Sequence, residues 1–452
     1  MAYTFSGGIR VEEYKNTRRS RIEVLTPPAV LTVPLSQHIG APASPCVNIG
    51  DTVAVGQKIA DVDEELLGCP IHSPVSGTVT DIIKKTIPSG AVVEHIVIEN
   101  DMLDTKCPDI GPVTKRLTDC STEEIIDIIR KAGIVGMGGA AFPTYAKIRS
   151  ALGKVDKLIV NCAECEPFIT ANHRLLLENT ASVINGVKIL LKALGVRTAY
   201  IALEDNKLDA AEKLEELLSG SNMISVKIMK TKYPQGDERQ LIYALTGVEL
   251  PVGKLPADVG CVIFNAETCA VVYKAFAYGQ PLIRRVVTVD GDCVRKPKNI
   301  LAPIGTPLSD IIEFCGGLKR EPAKVINGGP MMGVAQWDTE MPLTKATGAI
   351  LVFSADFGKK NASNPTCIRC GKCVNHCPMH LMPNYIAQFS QLGDKKSAEE
   401  YGALSCVECG SCSYNCPGGV EIVQHIRKIK AEIKAEKARI ASLAAKKENN
   451  AD

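Results

Sequence analysis

The sequence predicts a multidomain α/β protein closed by a cysteine-built, α-helical module, and three observations carry that expectation. Strand and helix patterns alternate between 157 and 229, as they do where a parallel sheet is joined by crossover helices. Residues 26–100 show short apolar alternations broken by Gly-Asp turns, the text of strands and turns alone. Near the end, eight cysteines fall into two near-identical runs.

Taken in order, residues 1–25 are polar and basic (Arg18, Arg19, Arg21) and read as a tail or as a strap across another domain. The 26–110 stretch resembles the barrel-sandwich hybrid of biotinyl and lipoyl domains, with Val47 to Ile59 and Ser73 to Val79 as matching halves. Between them stands Asp61 to Cys69 rather than a Met-Lys-Met hairpin, so a structural module is expected and not a swinging-arm carrier.

The third unit, 115–282, is the expected parallel α/β domain. Its first helix, 121–132, has a capping box of Ser121 and Glu124, isoleucines at helical spacing, and Gly133 to stop it. Gly136-Met137-Gly138-Gly139-Ala140-Ala141-Phe142 follows and contains G-x-G-x-x-A. It follows a helix instead of a strand, so the dinucleotide fingerprint fails its context. A glycine loop opening onto the helix that carries Lys147 still offers bare N–H groups and a positive helix end to an anion, with a plain turn as the alternative. Strands are expected at 158–160, 199–203, 224–228 and 262–264, with helices at 180–194 and 207–218. Ligands of such a sheet sit beyond the carboxyl ends of its strands. Two ends are loaded with polar groups, Asn161-Cys162-Ala163-Glu164-Cys165-Glu166 and Tyr233-Pro234-Gln235-Gly236-Asp237-Glu238. Ribose hydroxyls or a flavin suit them.

Residues 283–345 read as a small β-grasp unit, with strands at 285–290 and 324–326 and a helix at 308–315. Ser363 to Pro365 is a linker into the cysteine module at 355–430, and 431–452 is a basic helical tail. The two runs, Cys367-x2-Cys370-x2-Cys373-x3-Cys377-Pro378 and Cys406-x2-Cys409-x2-Cys412-x3-Cys416-Pro417, have the bacterial ferredoxin spacing for [4Fe–4S] clusters. Zinc sites use two pairs of ligands, and disulfide frameworks suit small secreted domains. In two-cluster ferredoxins the fourth cysteine of each run ligates the other cluster. One cubane is therefore expected on Cys367, Cys370, Cys373 and Cys416, the other on Cys406, Cys409, Cys412 and Cys377.

Composition excludes more than it assigns. A net charge of +2 gives no bulk attraction to nucleic acid. The chain has no apolar run approaching the ~20 residues that cross a bilayer. Eighteen cysteines behind a start without an apolar leader point to a reducing compartment.

The residues at 133–147, 161–167, 233–238 and 263–268 together resemble the NADH-binding flavin subunit of respiratory complex I. A wider set resembles, along nearly the whole chain, the C subunits of Rnf ion-translocating ferredoxin:NAD oxidoreductases. It comprises Phe5-Ser6-Gly7-Gly8-Ile9, Pro34 to Pro42, Pro70-Ile71-His72-Ser73, Thr231 to Gly236, Gly328-Gly329-Pro330-Met331-Met332-Gly333 and the doubled cysteine motif. This resemblance implies a flavin and nucleotide site in the parallel domain and an SLBB-like character for the β-grasp unit. Gly136, Gly138 and Gly139 would cradle the FMN phosphate, with Lys147 as countercharge. Asn161 and Glu164 would bond the flavin or its ribityl chain. Tyr233, Gly236 and Asp237 would close over it, and Asn265 and Thr268 would hold the far side. Phe142 would stack on the nicotinamide nucleotide and Glu238 would bind its ribose.

The implied function is exchange of hydride between NAD(H) and FMN, and of single electrons between FMN and two cubanes, because flavin is stable at both redox steps. The implied partners are integral-membrane and iron–sulfur subunits of one complex, with ferredoxin reached indirectly, on the cytoplasmic face of the membrane. Two other readings compete: a flavin and iron–sulfur reductase of another acceptor such as cobalamin, and a non-catalytic cluster-bearing adaptor.

Overall fold

In a computed structural model describing residues 2–87, 90–358 and 365–448, the strands Ile224–Met229, Thr198–Glu204, Lys157–Cys162 and Cys261–Asn265 stand side by side in that order, all parallel. Their apolar runs follow from burial on both faces: Leu158, Ile159 and Val160 are wholly buried. Helix Thr180–Leu194 covers one face and packs on helix Ala266–Tyr278. Gly186 permits that crossing, since a Cβ there would collide with the Cys269 carbonyl. The expected capping box at Ser121 and Glu124 opens helix Thr122–Lys131, which buries Ile125, Ile126 and Ile129.

In the parallel α/β domain the sequence reading missed the helices Ala171–Glu178, Glu238–Thr246 and Ala266–Tyr278. Glu238 and Thr268, both expected to meet ligands, lie in first helical turns. Each of these helices starts just beyond the carboxyl edge of the sheet, so their positive N-terminal ends converge there.

The N-terminal module pairs two small sheets around a core that includes Leu31, Val33, Ile59, Val79, Ile96 and Ile98. One sheet runs Val30–Pro34, Val92–Asn100, Gly77–Thr86, Thr52–Val53; the other runs Ser44–Pro45, Lys58–Asp61, Ile71–His72. The β-grasp unit is a six-stranded sheet that draws on strands outside 283–345. Ala349–Phe353 sits within it, and Ile22–Val24 lies on its edge, parallel to Lys298–Pro303.

Residues 2–25 are thus a strap. Tyr3 bridges to Met229 and Ile9 to Tyr233. Lys15 is drawn into the interior, donating to the carbonyls of Glu164, Glu166 and Ile169 at 2.6–2.8 Å. Burial holds its ammonium below the usual lysine range.

The two cysteine runs fold alike. Arg369 and Gly371 (φ 54° and 73°) match Glu408 and Gly410 (φ 58° and 77°), each pair leading into a one-turn helix, Lys372–Asn375 and Ser411–Tyr414. Helix Ile422–Glu448 follows. Its first half is core: Ile422, Ile426, Ile429 and Ile433 are buried against Pro383–Leu392 and its neighbours. Of the linker at Ser363 to Pro365, Ser363 and Asn364 lie outside the described residues, as do 449–452 of the basic tail. Among the described residues no helix is long and apolar enough to cross a membrane.

Candidate functional site at the carboxyl edge of the sheet

The glycine loop is closed at its base, where Val135 bridges to Pro143 and the Gly136 N–H donates to the Phe142 carbonyl at 2.8 Å. Gly138, Gly139 and Ala140 at its tip are exposed, and a Cβ on Gly139 (φ 121°) would meet open space. The loop is held from below. The Met137 N–H donates to Thr268 Oγ1 at 3.0 Å, and the Met137 carbonyl accepts from Arg285 at 3.1 Å. Thr268 is therefore an anchor of the loop, buried beneath it.

Lys147 and Glu238, assigned to different ligands by the resemblance, face each other across the crevice and form an ion pair at 2.7 Å. Lys147 also lies 5.7 Å from the centre of the Phe264 ring. Phe142 is half-buried at the base of the loop.

Several expected binding residues turn out to lock the local backbone. Asn265 caps helix Ala266–Tyr278 by accepting from the Glu267 N–H at 2.9 Å. Asp237 caps helix Glu238–Thr246 through the N–H groups of Arg239 and Gln240; burial pushes its carboxyl above the usual range. Glu164 (φ 50°) accepts from the Asn172 N–H at 2.7 Å and the His173 N–H at 3.3 Å, at the start of helix Ala171–Glu178. Asn161 donates to the Gly236 carbonyl at 2.8 Å, tying the two loaded strand ends together. The capping pattern follows from residue type, because short acidic and amide side chains beside a helix start satisfy its free N–H groups.

Tyr233, expected to close over the flavin, also reaches the second cysteine run. It is 1% exposed and its hydroxyl donates to the Cys409 carbonyl at 2.7 Å. The same turn reaches Gly236, whose N–H contacts Cys165 Sγ at 3.3 Å. One short stretch therefore touches both the strand-end loop and the second cysteine run. The docking continues through Gln240, donating to the Pro378 carbonyl at 3.1 Å, and through the Gly8 N–H, donating to the His376 carbonyl at 3.1 Å.

Sequence reasoning placed Glu166 at a loaded strand end without its partners, and missed Arg285. Glu166 reaches across to the Gly328 to Gly333 loop and accepts from the N–H groups of Met331 and Met332 at 3.0 and 2.9 Å. Burial raises its carboxyl to about 7, against those two bonds. A raised acid favours folding while protonated: its contribution is whole below the ordinary carboxyl range and is lost as pH climbs through 7. The rise from 4.5 to about 7 amounts to about 3 kcal/mol. Melting curves at pH 5 and pH 8 are expected to show a stability drop for the wild type that Glu166→Gln flattens. Equal slopes in both proteins would count against this account.

Arg285, 1% exposed, pairs with Glu267 at 2.9 Å, while Glu267 also accepts from the Val286 N–H at 2.7 Å. No local pattern announces either residue, because each partner lies in a different domain.

Among the cysteines, Cys377, Cys406, Cys409 and Cys412 lie near enough to influence one another, although among the described residues no three His, Cys, Asp or Glu side chains converge as a ready metal site. Burial, then neighbouring thiols of that set, push Cys406 up to about 11 and Cys412 up to about 12, and raise Cys409 as well. Cys373 feels Cys367 in the same way. Cys416 adjoins the start of the first run, where the Thr366 N–H donates to the Gly418 carbonyl at 3.2 Å. Thiols crowded like this are costly to ionise alone and suit a polynuclear cation centre that takes them as thiolates.

The residues present also fit a flavin phosphate and its polar neighbours. Thr144 Oγ1, at the start of the Lys147 helix, is buried and finds no hydrogen-bond partner among the described residues. So are both amide atoms of Gln235, in the turn between Tyr233 and Gly236. Buried polar atoms are normally satisfied, and groups left open beside an exposed glycine loop match a hydrogen-bonding cofactor.

Residues 129–274 match the Nuo51 FMN-binding domain, 3–103 the RnfC barrel sandwich hybrid domain, 286–335 the SLBB domain and 359–417 the 4Fe-4S dicluster domain. The class is a flavin- and iron–sulfur-bearing electron-transfer protein, with FMN and [4Fe–4S] clusters as its cofactors. The chain is 44% identical over 441 residues to the C subunit of the proton-translocating ferredoxin:NAD(+) oxidoreductase complex of Clostridium ljungdahlii, covering 96% of this chain and 95% of that one. It is 42% identical to the C subunit of the Na(+)-translocating ferredoxin:NAD(+) oxidoreductase complex of Acetobacterium woodii, over 96% and 98% of the two chains. It is 38% identical to the C subunit of the ion-translocating oxidoreductase complex of Rhodobacter capsulatus, over 97% and 85%. The chain belongs to the family of C subunits of these ion-translocating ferredoxin:NAD oxidoreductase complexes, and so to a multi-subunit assembly.

Proposed function

We propose that this chain is the NAD-facing electron-exchange subunit of such a complex, attached from the cytoplasmic side to integral-membrane and iron–sulfur subunits and reaching ferredoxin only through them. FMN, when bound, takes or gives hydride and passes electrons singly. The protein supplies positioning. The exposed glycine tip and Lys147 hold the phosphate, and the helix starts around Asp237, Asn265 and Ala171 present their positive ends to the crevice. Phe142 and Glu238 line the side open to a nicotinamide nucleotide. Cys367, Cys370, Cys373 and Cys416 hold one cubane, and Cys377, Cys406, Cys409 and Cys412 the other. The observation that carries this reading is the 233–237 turn, which contacts Asn161 and Cys165 on one side and Cys409 on the other.

The test is anaerobic reconstitution with iron, sulfide and flavin counting, followed by NADH titration of the flavin absorbance. Lys147→Ala is expected to weaken FMN binding about 10- to 100-fold, the worth of a charge-assisted hydrogen bond. It should keep about eight irons, those of two cubanes. FMN retained with unaltered affinity removes the assigned phosphate site, and a flavin indifferent to NADH removes the function.

A further inference from the structure

We propose that the open edge of the β-grasp sheet takes up an extended segment of another subunit as an added strand, apolar along its length and basic at one end. The strand that receives it is Val334–Gln336, flanked by Met332 and Trp337. The proposal rests on the multi-subunit reading above and deepens it by naming a docking site.

Val334–Gln336 is outermost in the six-stranded sheet and, among the described residues, pairs only with Lys324–Asn327. An edge strand turns every second N–H and C=O outward, where a further strand can pair with them. Apolar side chains crowd the same place. Met332 is 46% exposed, Val334 48% and Trp337, the only tryptophan of the chain, 61%. Single exposed apolar residues are ordinary, but three within six residues on an open edge mark a contact surface, and tryptophan is enriched at the energetic centre of such surfaces. Gln336, between them, is 9% exposed. Its Nε2 donates to the Val334 carbonyl at 2.9 Å, and its Oε1 has no partner among the described residues. An incoming backbone N–H is the kind of donor that this open acceptor lacks.

Charge and composition narrow the occupant. Just past Trp337 stand the exposed carboxylates of Asp338 and Glu340. Asp310, in helix Leu308–Phe314, joins them, its carboxyl raised by burial and then by Glu340. None of the three has an ion pair among the described residues, and the neighbouring strand offers one cation, Lys324. The longest stretches of this chain outside the described residues, 359–364 and 449–452, are polar and have no side chain that could cover Trp337. An apolar strand with Lys or Arg at one end, from another subunit, meets the edge, the tryptophan and the carboxylates together. The site is also firmly backed. Glu166 holds the loop that leads into it through the Met331 and Met332 N–H groups, and the Met331 carbonyl lies so near Gly410 that a Cβ there would meet it at 3.1 Å. A subunit added here is therefore fixed relative to the second cysteine run.

The test compares hydrogen exchange, read by mass spectrometry, in the isolated full chain and in the assembled complex, both loaded with FMN and clusters. Amides of 332–338 are expected to exchange freely in the isolated chain and about tenfold or more slowly in the complex. Trp337→Ser is expected to weaken the hold on at least one other subunit about tenfold or more, as truncating a central anchor does. Asp338→Lys/Glu340→Lys should weaken the same subunit's hold by about tenfold through charge reversal. Both are measured by dissociation of the complex on dilution. Unchanged exchange of 332–338 on assembly overturns the docking site, and so does protection that appears in the isolated chain as its concentration rises, which makes a second copy the occupant. Weakening in only one of the two variants, or in neither, overturns the partner chemistry stated here. Melting and flavin bleaching by NADH are read on each isolated chain. Should a variant melt early, the wild-type exchange comparison decides alone. Lost bleaching in the wild type fails the flavin reading and leaves the exchange result standing.

Discussion

Cys377→Ala is expected to empty the cubane of the other run. Iron should fall from about eight toward four, and the sharper outcome lies in the double variants. Cys377→Ala with Cys406→Ala should lose no more iron than either change alone, since both strike one cluster. Cys377→Ala with Cys367→Ala should strip both. The structural ground is the company Cys377 keeps: it influences Cys406, Cys409 and Cys412, while Cys416 adjoins the beginning of the first run. An uncrossed arrangement inverts the two results, so iron counts on four proteins settle it.

Arg285→Ala is expected to cost about 3–5 kcal/mol of stability, because it leaves the Glu267 carboxylate buried without its countercharge. It should also loosen FMN, since Arg285 secures the Met137 carbonyl under the glycine loop. The paired change Arg285→Met/Glu267→Met separates these effects. Swapping both charges for apolar groups of similar volume is often neutral, so stability should largely return while flavin affinity stays low. Urea unfolding with flavin-fluorescence titration reads both quantities. A double variant as unstable as Arg285→Ala, or one that binds FMN normally, contradicts the role assigned to the pair.

Local chemistry made much of this molecule legible. The Ser121–Glu124 box, the alternation from 157 to 229 and the cysteine spacing are all short-range signals, and each appears where the sequence placed it. The short-range signals for helix Ala266–Tyr278 were obscured by β-branched and aromatic residues such as Val271, Val272, Tyr273 and Phe276, which suit a strand equally well. The site was legible as a set of positions and much less as a set of roles. Asn161, Glu164, Asp237 and Asn265 stand at the crevice, yet each oxygen-bearing side chain also secures a neighbouring backbone, which a motif cannot reveal. The direction of Tyr233 was illegible for a related reason. Its direction depends on the cysteine run nearly two hundred residues later, and only the assembled fold brings them together. Arg285 and Lys15 were silent, and the partners of Glu166 unreadable, because burial of a charge is decided by distant partners.

The strap has a consequence for synthesis. Residues 3–24 leave the ribosome well before the surfaces that receive them, which belong to Met229, Tyr233 and the 298–303 strand, made hundreds of residues later. The strap must therefore wait, unpaired, until those segments have emerged, and its docking is a late event in maturation.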